Sequence, residues 1–143
     1  MKLRLIPALC VVVLLAADKK EEKDELEGTW VPQSTIRDGE KGEDPPEGAK
    51  VIFKNGTATF FVNDKTQATI EYKADPSQKP KAIDITPTTG PEKGTVIKAI
   101  YEVDGDTLRI CGPTAEKANN RPTKLASEKG SGFNLMTLKR EKK

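Results

Sequence analysis

Few residues in this chain could do covalent or metal chemistry. It has no histidine and only two cysteines, Cys10 and Cys111. A Ser-His or Cys-His pair, the commonest activated nucleophile, is therefore absent. The Cys/His ligands of a structural zinc site cannot be assembled either. Asp104-Gly105-Asp106 has the start of a calcium loop, but the twelfth position of such a loop needs a bidentate Glu, and Ala115 stands there. The triplet reads instead as a tight turn. Asp84 and Asp106 are the carboxylates an acid–base mechanism would need to pair, yet nothing in their spacing brings them together. Gly90 to Gly94 contains Lys93 but lacks the phosphate-loop pattern, with no helix after it to receive an anion. Cys111 closes an apolar run and reads as a small half-buried hydrophobe rather than a reactive thiol. This inventory predicts a protein that is not an enzyme and uses no cofactor and no metal. An enzyme of unknown type is the remaining alternative.

Charge narrows the partners. The formal net charge is +2 over 143 residues, and Lys2 and Arg4 account for it. The rest is neutral with both signs mixed, which offers no footprint for a phosphate backbone. Nucleic acid is therefore not an expected partner. Lys139 to Lys143 is a short basic tail, read as a solvated end.

Lys2 and Arg4 precede an apolar run from Leu5 to Ala17, and Ala16-Ala17 precedes the charged Asp18-Lys19-Lys20. That order is the layout of a secretory signal peptide. The run is shorter than the roughly 20 residues a membrane-spanning helix needs. Residues 1–17 are thus expected to export the chain to the periplasm, cell envelope or exterior and be removed, leaving no membrane span. An uncleaved anchor is the alternative. Cys10 would leave with this segment, so no intrachain disulfide is expected.

Residues 18–25 read as a charged tether, 26–140 as one domain, and 141–143 as the basic tail. Within the domain the apolar period is two. Ala68, Ile70, Tyr72 and Ala74 alternate with Thr69, Glu71 and Lys73; Ile83 and Ile85 share a face, as do Ile97, Ala99, Tyr101 and Val103, and then Leu108 and Ile110. Alternation of this kind marks strands buried on one face. Asn55-Gly56 and Asp104-Gly105 are hairpin turns. Asp38 to Gly48 and Gly112 to Pro122 are loops, and Gly132 to Arg140 is the last strand. About eight strands follow one another with no helix between them. The expected fold is all-β, a small antiparallel up-and-down barrel, with a two-sheet sandwich as the alternative.

Two groups of residues carry a family resemblance. Gly28-Thr29-Trp30 resembles the lipocalin Gly-x-Trp start. In lipocalins the tryptophan plugs one barrel end beneath a basic residue near the last strand, so the resemblance implies that Trp30 is capped by Lys139 or Arg140, with Gly28, Trp30 and Arg140 as the barrel end. The stretches Lys79 to Thr86, Ile100 to Cys111, Arg121-Pro122-Thr123 and Gly130-Ser131-Gly132 resemble a lipocalin-like domain family abundant in planctomycete bacteria. This resemblance covers about Leu26 to Arg140 and brings no catalytic residues.

The function expected on these grounds is a binding or scaffold module. A small hydrophobic molecule would lie inside the barrel against Ile70, Tyr72, Ile83, Ile85, Ile97, Tyr101 and Leu108. The Tyr72 and Tyr101 hydroxyls would be the polar groups of such a cavity. Eight-stranded interiors can also be filled by side chains alone. In that case the two long loops would carry a protein interaction, which is the alternative reading.

Overall fold

The computed structural model describes residues 24–142. The expected export segment and most of the charged tether lie outside these residues. Among the described residues nine strands form one antiparallel sheet: β1 (Gly28–Arg37), β2 (Glu40–Lys41), β3 (Ala49–Lys54), β4 (Thr57–Val62), β5 (Lys65–Asp75), β6 (Lys81–Pro87), β7 (Ile97–Asp104), β8 (Thr107–Pro113) and β9 (Phe133–Arg140). From β3 onward each strand pairs with the next, and β9 returns to β1. Eight strands therefore close a barrel with up-and-down connections. The two-residue β2 is an addition on the outer half of β1, within the segment expected as a loop. The sandwich alternative is set aside by the β1–β9 ladder, which runs from Trp30↔Arg140 to Arg37↔Asn134 and closes the sheet on itself.

Strand ends are set by turn chemistry. Asn55-Gly56 joins β3 to β4 with both residues at positive φ, 52° and 80°, as a type I′ turn requires. Asn63 and Asp64 join β4 to β5 in the same way, at 51° and 67°. These residue types tolerate left-handed backbone better than most.

β1 serves two neighbours. Its first residues, Gly28 to Trp30, pair with β3. After Pro32 the register against β9 slips at Gln33, a bulge, and the outer half of β1 pairs only with β9 and β2. Proline has no N–H for a ladder, so Pro32 falls where the β1–β3 pairing stops. The segment between β2 and β3 lies across the gap.

The residues at one end of the barrel are tightly packed. Leu26, Trp30, Ile83, Tyr101, Leu108 and Leu138 are each at most 2% exposed. Phe53 and Tyr72 meet edge to face at 5.2 Å beside them. Asp24 and Glu25, the last residues of the charged tether, are tied to this end. Asp24 Oδ2 accepts from the Tyr72 hydroxyl at 2.9 Å, and Glu25 Oε2 from Lys81 Nζ at 2.6 Å.

A smaller apolar layer lies outside the barrel. Ile100 and Cys111 point outward from β7 and β8 yet are fully buried. The chain between β8 and β9 covers them, and it includes a short 3-10 turn, Ala115–Lys117. Arg121 fastens this segment, donating to the Ala99 carbonyl at 2.6 Å and to Asp84 at 2.7 Å. Lys98 N–H donates to the Ala118 carbonyl at 2.8 Å.

Candidate functional site

Strand direction gives the barrel a closed end and a mouth. β1 begins at the closed end with Gly28, and β9 finishes there with Arg140. The Arg140 guanidinium lies 4.2 Å from the Trp30 ring centroid. Its two terminal nitrogens donate to the Glu27 and Glu25 carbonyls at 3.0 and 3.1 Å. Trp30 Nε1 donates to the Leu26 carbonyl at 2.8 Å, so the buried indole has no unsatisfied group. Gly28 sits at φ 132°, and a Cβ there would meet Arg140 Nη1 at 2.7 Å. The residue must be glycine for the arginine to lie over the ring. It is Arg140, not Lys139, that takes this position.

From this end towards the mouth the interior opens into a cavity of about 900 Å³. That lies within the range of about 300–1,000 Å³ usual for small-molecule sites. The deeper wall is apolar, with Val51, Phe53, Ile70, Ile110 and Leu138 among its residues. Several of the inward positions along it carry almost no side chain. Ala58, Ala68, Ala99 and Gly112 all line it. A Cβ on Gly112 would lie 2.9 Å from that of Ala99. No polar or charged residue among the described residues is buried. The polar residues of the cavity sit at its mouth: Thr35 and Arg37 from β1, Asn134 from β9, and Lys41, Glu43 and Asp44 from the segment crossing it.

The seven interior residues expected from alternation divide between the two zones. Ile70, Ile85 and Ile97 line the cavity. Tyr72, Ile83, Tyr101 and Leu108 instead pack with Trp30 and Leu26 in the closed end. The two tyrosine hydroxyls are therefore not the polar groups of the cavity. Both belong to the closed end, where burial and nearby carboxylates push their pKa values up, that of Tyr101 to about 12. The difference has a physical source: alternation reports which face of a strand is inward, but not the depth at which each residue lies. Sequence reasoning missed Val51, Phe53 and Phe60, carried by β3 and β4, and the mouth residues.

The structure does not bring the candidate chemical groups together. Asp84 is engaged by Arg121 on the outer wall, while Asp106 lies in the β7–β8 turn. Asp104-Gly105-Asp106 forms that turn, with Gly105 at φ 60°. Gly90 to Gly94 forms the β6–β7 connection, where Gly94 N–H donates to the Pro87 carbonyl at 2.9 Å. Burial raises the Cys111 thiol pKa above its ordinary value. Among the described residues no group of three or more His, Cys, Asp or Glu is placed to hold a metal, and no helix is long and apolar enough to cross a membrane. Comparison with protein-family models, with curated proteins and with solved structures gave no match for the chain.

Proposed function

We infer that the chain is an exported, non-enzymatic, lipocalin-like module whose barrel holds a small hydrophobic molecule. The observation that supports this is the apolar cavity of about 900 Å³ above a sealed floor. A chain of this size that needed only a stable scaffold would gain by filling that volume, because unfilled core space costs stability. Apolar walls with a few polar groups at one end are the usual make-up of a small-molecule site. The module works by burial alone, with no turnover.

The loop-interaction reading draws on a different observation. A groove of about 700 Å³ lies on the outer wall between the β5–β6 turn and the Arg121-Pro122-Thr123 stretch. Its edges are charged and its floor includes Ala82 and Ile100.

Calorimetry and ligand-observed NMR with fatty acids, isoprenoids and aromatic compounds test the cavity reading. Saturable binding of at least one class is expected. Absence of binding throughout the panel at soluble concentrations overturns the reading and leaves the loops as the site of interaction.

A further inference from the structure

The cavity has an apolar depth and a polar collar, and the collar is asymmetric in its hydrogen-bonding capacity. Arg37 and Asn134 are directly opposite each other at the end of the β1–β9 ladder, and both line the cavity. Thr35 lies one inward position below Arg37 on the same strand. Among the described residues neither Arg37 nor Asn134 makes a side-chain hydrogen bond, and Arg37 is in no ion pair. A guanidinium beside an amide thus leaves several N–H donors free at the edge of an apolar chamber. The other charges of the mouth lie on β2 and the segment that follows it. There Lys41 lies 3.8 Å from Asp44, and Glu43 adds one carboxylate. Glu43 follows Gly42, whose N–H donates to the Thr35 carbonyl on β1 at 2.7 Å, and no ion pair joins Glu43 to Arg37 among the described residues.

We propose that the ligand is an amphiphile with an anionic head, held by Arg37 and Asn134 at the mouth with its tail in the cavity. This rests on the cavity reading above. The interior has no buried polar group to anchor a head, so a charged head inside would be left uncompensated at large cost. At the mouth the head stays partly hydrated and meets a donor fork whose planar geometry matches a carboxylate, sulfonate or sulfate. Depth limits the tail. Asn134 and Leu138 mark the top and floor of the cavity on β9, a separation of about 13 Å at about 3.3 Å per residue. With a strand tilt of about 40° the depth is about 10 Å, which suits a slender tail of about eight to ten carbons.

A head-group series at constant tail tests this. Decanoate, decyl sulfate, decanol and decyltrimethylammonium are titrated into the whole chain by calorimetry, each below its self-association concentration. Decanoate and decyl sulfate should bind about fivefold more tightly than decanol, the upper range for a solvent-exposed charge pair, and the ammonium compound most weakly. Arg37→Gln should bring decanoate to the affinity of decanol while leaving decanol unchanged, which also shows that the cavity is intact. Equal affinity for all heads, preference for the cation, or a decanoate preference that survives Arg37→Gln would overturn the proposal and leave the cavity reading standing. The series on the unaltered protein decides the question even if the variant misfolds. Failure of all four compounds to bind would remove the cavity reading on which the proposal rests.

Discussion

Replacing Gly28 with alanine isolates the construction of the closed end in one methyl group. At φ 132° an L-residue is strained, and the added Cβ would stand 2.7 Å from Arg140 Nη1. Backbone strain of this kind costs roughly 1–3 kcal/mol. Displacing the guanidinium also gives up its place over Trp30, worth about 0.5–1 kcal/mol at an accessible site. Its bonds to Glu25 and Glu27 contribute about 1 kcal/mol each. Gly28→Ala should therefore lose roughly 3.5–6 kcal/mol and Arg140→Ala about 2.5–3. If the methyl acts partly by expelling the arginine, the two losses overlap. In an Arg140→Ala background, Gly28→Ala should cost only the backbone share, giving a coupling equal to the arginine share, about 2.5–3 kcal/mol. Trp30 is the only tryptophan, so urea unfolding followed by its emission reports this end of the barrel directly. Losses that add within about 0.5 kcal/mol, as independent sites do, would refute the reasoning.

Three further predictions follow from the same packing. Trp30→Ala should cost about 3–5 kcal/mol, a large part of the roughly 5–15 kcal/mol that domains possess; a variant unfolding at the wild-type urea midpoint would contradict the plug. Burial, then the carboxylates of Glu25, Asp24 and Asp75, raise Tyr101 to about 12, and burial with the Asp24 hydrogen bond raises Tyr72 further. An unfolded tyrosine ionises near pH 10, so their stabilisation is complete below about pH 10 and is lost as pH rises through about 12. The melting temperature should then fall more steeply in that window than it does for the Tyr72→Phe/Tyr101→Phe variant; parallel declines would count against it. Cys111 is fully buried, and its Sγ lies 3.5 Å from the Ala126 carbonyl. With Cys10 replaced by serine, Ellman's reagent should label Cys111 only as fast as the segment between β8 and β9 lifts away, and prompt labelling of the native protein would show that this segment does not cover it.

The strand order could be read from alternation and turns because both are local. Asn55-Gly56 has the one conformation that joins two adjacent strands, and the inward sequence Ile97, Ala99, Tyr101, Val103 has period two in the chain as in the sheet. Barrel closure could not be read so directly. It depends on β9 meeting β1 more than ninety residues away, and the Gly-x-Trp resemblance, not the pattern, pointed to it. The closed end was legible at Trp30 through the Gly-x-Trp resemblance, which also implied its basic cap. The cavity was not, since vertical position along the barrel axis comes from register and tilt. Gly112 to Pro122 illustrates the same limit. Its polar composition reads as a free loop, but Gly112 and Pro113 end β8, and the segment from Thr114 to Gly132 becomes an outer wall because Arg121 finds Asp84 and the Ala99 carbonyl. The outward residues Ile100 and Cys111 were the sign that something had to cover that face.

The central claim is that one end of the barrel is sealed and the other holds an apolar ligand, and methyl NMR with decanol as the probe tests it most directly. Ile70, Ile85, Ile97, Ile110 and Met136 line the cavity, whereas Ile83 and Leu108 lie in the closed end. Saturable shifts should appear at the first group and be small at Ile83 and Leu108, with Ile100 on the outer face unmoved. Shifts confined to Ile100 and the 114–132 segment, or no saturable shift at any cavity methyl, would contradict the account.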